Sequence, residues 1–319
     1  MDTAIECTDI VRLFGSKNPL TKKQQVKALD GLNLEIPQGI VFGLLGPNGS
    51  GKTTTIRILS TLLTPTSGQA RVFGFDCVKQ TSRVRAKIGL ILGGERGLFG
   101  RLTGEENLKY FAALSHMNRE VTKTRLKEII ELVGLASAGN RLVEQYSRGM
   151  RQRLHVARGL LTDPELLFMD EPTIGIDPQG AQEIRQLIPQ FVERGKTVLL
   201  TTHYMSEADE LCAQLAIINH GKIIASGTPS VIKRSFSKVS VCEVICRNSD
   251  AGVVETLRNL VGIQRVTAVS DGPVHRLTVQ VTPGLDISPA VTEILGEDNI
   301  DSLVTRDPTL EEAYLSIIK

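Results

Sequence analysis

The sequence predicts an α/β fold: a mostly parallel sheet covered by helices, carrying a helical subdomain and followed by a small α+β domain. Three observations predict it. Short apolar runs such as residues 40–45, 166–169 and 197–201 alternate with helical stretches, the pattern of parallel strands joined by crossover helices. The first run leads straight into a glycine-rich turn, Gly46-Pro47-Asn48-Gly49-Ser50-Gly51-Lys52-Thr53, of the G-x-x-x-x-G-K-[ST] form that links a strand to a helix. From about residue 239 the texture changes to short alternating strands mixed with helices.

Taken in order, residues 5–13 read as a strand and 33–36 as another. Between them lies a polar loop with Lys17, Lys22, Lys23 and Lys27, which reads as solvated. Residues 40–45 form a buried strand, and 53–63 a helix stopped by Thr64-Pro65-Thr66-Ser67-Gly68. Thr103 and Glu106 make a capping-box pair that opens a helix to about 114. A second helix spans about 122–133, with Gly134 as its stop, so residues 95–160 read as a mainly helical subdomain. Strand 166–169, helix 179–193, strand 197–201, helix 206–214 and strand 215–218 resume the alternation. The boundary falls within 228–237, giving domains of 1–232 and 238–319. The second holds strands 239–246 and 276–281 and helices 251–260 and 289–295.

Bulk properties bound the function. The 319 residues are 41% apolar and 23% charged, enough for a sizeable core. A net charge of +2, no Trp and few aromatics argue against a nucleic-acid partner. Cys7, Cys77, Cys212, Cys242 and Cys246 are odd in number and lack zinc spacing, so they read as small buried hydrophobes in a reducing compartment. No apolar stretch reaches the ~18 residues of a membrane span. The acidic start, Met1 to Glu6, is unlike a signal peptide. The expectation is a soluble, cytoplasmic chain whose membrane role, if any, comes through a partner.

The glycine-rich turn has a specific chemistry. Its glycines let successive backbone N–H groups face phosphate oxygens, and the following helix adds its positive N-terminal end. Lys52 is placed to reach β- and γ-phosphates, and the Thr53 hydroxyl to sit on Mg²⁺. A turn that merely packs a helix on a sheet is the bland alternative; the apolar strand before it and the helix after it decide against that. A second metal partner is needed, and Leu166-Leu167-Phe168-Met169-Asp170-Glu171 supplies it: a buried strand ending in two acids. Asp170 reads as the Mg²⁺ ligand or its second sphere, and Glu171 as the general base for water.

With both segments in place, residues 3–230 resemble the ATPase subunits of ABC transporters. Tyr146-Ser147-Arg148-Gly149-Met150 stands where that family has its LSGGQ signature. Asp163-Pro164 and Glu171-Pro172-Thr173 frame the second Walker motif, Gly175-Ile176-Asp177-Pro178 looks like the D-loop, and Thr201-Thr202-His203 like the switch histidine. The resemblance implies ATP sandwiched between two copies. Gly46 to Lys52, Thr53 and Thr54 would cradle the phosphates, with Phe14 under the adenine. Asp170, Glu171 and His203 would act from the same subunit. Ser147 and Gly149 would close on the γ-phosphate from the other, and Asp177 of the D-loop would also belong to the nucleotide site.

There are departures. Tyr146, Arg148 and Met150 replace the usual Leu, Gly and Gln. The Q-loop glutamine is missing: Gly93 or Gly94 takes its position, and Glu95 could replace the lost contact. These variations, and the ending Pro308 to Leu315, resemble the daunorubicin-resistance exporters. The resemblance thus implies ATP-driven export through a separate integral-membrane permease, on the inner face of the cell membrane. The ATPase would be a homodimer or heterodimer, with the permease docked near residues 97–102. Two other readings share the motifs: a non-transport ABC ATPase acting on translation or DNA, and a degenerate subunit that binds ATP but needs a partner to hydrolyse it. The single cassette and the 117 residues between Lys52 and Asp170 speak against the first, and intact Glu171 and His203 against the second.

Overall fold

The computed structural model describes residues 2–15, 25–93, 97–236, 240–247, 251–271, 274–282 and 284–318. Lys17, Lys22, Lys23, Gly94 and Glu95 lie outside them. The chain divides into two compact units, Met1–Thr228 and Pro229–Lys319.

The first unit runs β1 (Thr3–Phe14), β2 (Val26–Pro37), β3 (Val41–Leu45), α1 (Lys52–Leu59), β4 (Ser67–Val72), β5 (Phe75–Asp76), α2 (Thr81–Lys87) and β6 (Ile88–Leu92). It continues with α3 (Gly104–Leu114), α4 (Arg119–Leu132), α5 (Arg148–Leu160), β7 (Leu166–Asp170), α6 (Pro178–Glu193), β8 (Thr197–Thr202), α7 (Met205–Leu211), β9 (Gln214–Asn219) and β10 (Lys222–Gly227). The central sheet has the order β10-β9-β3-β8-β7-β6. Its strands are parallel except for the antiparallel edge β10. Every residue of β3, β7 and β8 is buried, as expected of a sheet covered on both faces. Phe42, Leu44, Ile56, Phe168 and Leu199 fill the core between the layers, each worth about 1.5–3 kcal/mol of burial.

The register positions the chemistry. Leu45 pairs with Thr202 across β3 and β8, and Asp170 pairs with Thr201 across β7 and β8. The carboxyl ends of three adjacent strands therefore reach one edge together, where open α/β sheets place their ligands.

A second, antiparallel sheet, β2-β1-β4-β5, shares this core. The sequence predicts a strand only over residues 33–36; β2 starts at Val26 because it pairs with β1 along the whole hairpin. The first helix ends at Leu59 rather than at 63, since Thr61 takes a left-handed conformation (φ 64°) that cannot continue it. The helix expected over 206–214 stops at Leu211; Ala213 N–H already donates to the Val41 carbonyl (3.0 Å), and Gln214 opens β9. In the helical stretch, Thr103 caps α3 through a reciprocal capping box with Glu106.

The second unit contains α8 (Pro229–Phe236), β11 (Ser240–Cys246), α9 (Ala251–Arg258), β12 (Ile263–Asp271), β13 (Val274–Val281), α10 (Ser288–Leu295), β14 (Ile300–Arg306) and α11 (Leu310–Ile318). Its sheet, β12-β13-β11-β14, is antiparallel. Cys242 and Cys246 share the buried face of β11 with Val244, over Leu257 and Val291. All five cysteines are buried. Among the described residues no helix is long and apolar enough to cross a membrane.

Candidate active site

The loop from Gly46 to Gly51 joins β3 to α1. A Cβ at position 46 would lie 2.2 Å from the Ile218 carbonyl oxygen, so only glycine lets β3 turn beside β9. Gly49 and Gly51 have φ of 80° and 117°, which bend the chain back over the helix start. Gly51 leaves α1 without a side-chain cap, and no acid occupies its first turn. The first N–H groups of the helix are thus available to an anion. Pro47, Asn48 and Gly49 are exposed at the loop tip, while Ser50 is buried.

Lys52 is only 5% exposed. Its Nζ donates to the Gly46 and Pro47 carbonyls (2.7 and 3.2 Å) and lies 3.5 Å from Glu171 Oε1. The Thr53 hydroxyl donates to Asp170 Oδ2 at 2.9 Å, and the Thr201 hydroxyl donates to Asp170 Oδ1 at 2.5 Å. Both oxygens of this buried carboxylate are therefore held. Glu171 follows in a left-handed conformation (φ 50°), pinned by its N–H to the Thr201 carbonyl and hydroxyl oxygens (3.0 and 3.1 Å). That backbone, uncommon for a non-glycine residue, turns its side chain back toward Lys52 and His203. His203 Nδ1 is 2.9 Å from Glu171 Oε2. Lys52, Thr53, Asp170, Glu171 and His203 thus form one connected network. Thr54 follows in α1, half-buried.

The remaining sequence-derived residues lie elsewhere. Phe14, 38% exposed at the end of β1, has the Arg12 guanidinium 4.8 Å from its ring centroid. Ser147 caps α5 by accepting from Met150 N–H (3.2 Å), and Asp177 caps α6 by accepting from Gly180 N–H (2.9 Å). Gly149 packs where a Cβ would touch Gly180 Cα at 3.4 Å. Among the described residues no hydrogen bond joins Ser147, Gly149 or Asp177 to the Lys52–Glu171 network. Gly93, at the altered Q-loop, donates its N–H to the Asp170 carbonyl (2.8 Å). A Cβ there would lie 2.5 Å from the Glu171 carbonyl oxygen.

Two participants escaped the sequence reading. In the sequence Thr201 stands out only as part of Thr-Thr-His, yet it holds both Asp170 and Glu171. Glu207, in α7, is buried and accepts from the Thr173 hydroxyl (3.0 Å). Burial pushes its carboxyl above the usual carboxylate range, against the pull of the Thr202 and Thr173 hydroxyls.

A phosphate loop and an acid-terminated strand one place further along the same parallel sheet, with β8 between, define a P-loop nucleotide-hydrolysing domain. Comparison with known proteins narrows this. The ABC transporter family model matches residues 29–174. The daunorubicin resistance ATP-binding protein DrrA3 of Streptomyces coeruleorubidus is 39% identical over 318 residues, covering 99% of this chain and 96% of the relative. The daunorubicin/doxorubicin resistance ATP-binding protein DrrA of Streptomyces peucetius is 42% identical over 233 residues, covering 73% and 68%. Among solved structures, the cassette MJ0796 in a dimeric post-hydrolysis state bound to ADP and Pi superposes with a TM-score of 0.62 at 25% identity, covering 70% of this chain and 98% of that one. The chain belongs to the ATP-binding subunits of ABC transporters. It binds nucleotide and hydrolyses ATP in the service of transport.

Proposed function

We propose that this chain powers export through a separate membrane permease, as one half of an ATP-sandwich dimer. The observation that carries the reading is the unbroken network from Lys52 through Glu171 to His203, with Asp170 held from both sides. Lys52 neutralises the β- and γ-phosphates, and the α1 N-terminus and loop N–H groups hold their oxygens. Glu171 accepts the proton of the attacking water, and His203 orients that carboxylate while contacting the γ-phosphate. Phe14 stacks on the base. Ser147 and Gly149 of the second subunit, with its Asp177 alongside, complete the pocket. Thr53 and Asp170 present hard oxygen donors side by side, which suits Mg²⁺ held by few protein ligands and by phosphate. The ion, when bound, neutralises charge on the phosphates.

The export reading is supported by the relatives whose names describe resistance to daunorubicin. The permease docks on the face around residues 97–102. Phe99 and Tyr110 are 46% and 43% exposed there, in edge-to-face contact at 4.9 Å. Buried Asn107 braces this surface by accepting from Phe99 N–H and donating to the Phe99 and Thr103 carbonyls. Docking on a permease places the chain on the inner face of the membrane. Residues 1–232 act as the ATPase domain, with 95–160 its helical part, and 238–319 as an accessory domain that steadies the dimer. The test is Glu171→Gln: turnover is lost while an ATP-bound dimer accumulates. A monomer at saturating ATP would count against the sandwich.

A further inference from the structure

The turn carrying His203 and the segment following Glu171 are tied from beneath by one buried carboxyl. Glu207 is 1% exposed. Its Oε1 accepts from the hydroxyl of Thr173, two residues beyond Glu171. Thr202, the residue before His203, stands beside the same carboxyl, and its hydroxyl accepts from Tyr204 N–H at 3.0 Å. Oε2 is buried and has no hydrogen-bond partner. An acid in such a place is expensive: desolvation disfavours the carboxylate and outweighs what the Thr202 and Thr173 hydroxyls return. Beside Ala208 and Cys212, both buried, an apolar side chain of similar size would pack at lower cost. The acid therefore answers a demand other than packing, and its contacts say which: they reach the two segments that bear Glu171 and His203.

We infer that Glu207 is a positioning residue for hydrolysis, gripping Thr173 so that the segment after Glu171 and the His203 turn stay in register and the 2.9 Å His203–Glu171 contact is kept. The inference rests on reading Glu171 and His203 as the hydrolytic pair. Glu207 acts through that pair and does not itself touch the phosphates: Lys52 and Thr53 make their contacts with Gly46, Pro47, Glu171 and Asp170 instead. Its loss should therefore appear in the rate of the chemical step, with nucleotide binding spared.

The experiment measures steady-state ATPase of the full chain for Glu207→Leu, Glu207→Gln, Thr173→Val and Thr173→Ser, beside Glu171→Gln. Loss of a buried hydrogen bond to a carboxyl predicts a kcat lower by about tenfold in Glu207→Leu and Thr173→Val. KM for ATP should stay within roughly twofold, because binding contacts are intact. Glu207→Gln keeps an acceptor and Thr173→Ser keeps the hydroxyl, so both restore most of the rate. Glu207→Leu combined with Thr173→Val should be no slower than either alone, since both remove the same bond. Thermal melting and binding of a fluorescent ATP analogue report the fold; should Glu207→Leu not fold, Thr173→Val carries the test. Full kcat in Thr173→Val, or a loss that Thr173→Ser does not repair, overturns the assignment. If Glu171→Gln itself turns over normally, the hydrolytic-pair reading fails; if it is inactive while Thr173→Val is unimpaired, only the role of Glu207 fails.

Discussion

Thr201→Val removes a single hydroxyl from the middle of the site and leaves the strand otherwise intact. Valine matches threonine in size and suits a buried strand. Two contacts are affected. The Glu171 N–H loses the hydroxyl at 3.1 Å but keeps the Thr201 carbonyl at 3.0 Å, so that half of the change is nearly neutral. Asp170 Oδ1 loses its donor at 2.5 Å. Thr201 is fully buried and Asp170 is 9% exposed, so water does not readily replace it. A hydrogen bond to a charged group contributes about 1.5–3 kcal/mol, and that is the expected loss of stability. The carboxylate, now held only by Thr53, is also free to rotate, so a higher Mg²⁺ concentration should be needed for half-maximal turnover. Urea unfolding measures the first effect and an Mg²⁺ titration the second; Thr201→Ser should return both toward the parent. A stability change below about 0.5 kcal/mol, the scale of an ordinary surface substitution, together with an unchanged Mg²⁺ requirement, would refute the reasoning.

Lys52→Ala should weaken nucleotide binding itself by at least about tenfold, since a charge-assisted contact to phosphate is lost; calorimetric titration with ATP checks it. Gly93→Ala forces a Cβ to within 2.5 Å of the Glu171 carbonyl, so the β6 end must move away from the catalytic strand. Turnover should fall with nucleotide affinity retained, and a parent-like kcat would count against this. His155, in α5, is buried with neither ring nitrogen bonded, and burial first, then Arg158, pulls it from its ordinary 6.5 down to about 4. Because the folded value is the lower one, the unfolded chain takes up the proton first as pH falls from 6.5. Stability is constant above that window and declines through it to about pH 4, by up to about 3 kcal/mol. His155→Leu should flatten this part of the acid-unfolding profile without loss at neutral pH.

What the sequence made legible follows from range. The Gly46–Thr53 turn and the run ending in Asp170-Glu171 are contiguous, so their chemistry and local conformation could be read together. Thr103 and Glu106 are three residues apart, and their capping box formed as expected. The hairpin strand β2 was under-read because Val26 to Leu32 owe their extended form to β1 rather than to their own alternation. β4 and β5 were missed because Ser67–Val72 mixes Ser, Gly and Gln with few apolar residues, and pairs with a strand about sixty residues away. Gln214 belongs to β9 rather than to the helix expected over 206–214, because helix and strand meet there with only two residues between them. Glu207 carries no local pattern, and the pattern that contains Thr201 points to His203 rather than to Thr201 itself. Thr201 matters because the parallel register sets it opposite Asp170, and Glu207 because α7 folds under Thr173.

The position of β8 between β3 and β7 has a consequence for how such a chain can vary. The two phosphate-site strands never pair with each other; their alignment relative to one another runs through β8, which pairs with both. Insertion or deletion of one residue in β8 would turn Thr201 to the opposite face and carry His203 along the strand by about 3.3 Å. The interior residues Val198, Leu199 and Leu200 can exchange for other apolar side chains at modest cost. Descent can therefore rewrite the apolar interior of this strand, but not its length: β8 is the ruler against which the rest of the site is measured, and a ruler tolerates new ink better than a missing division.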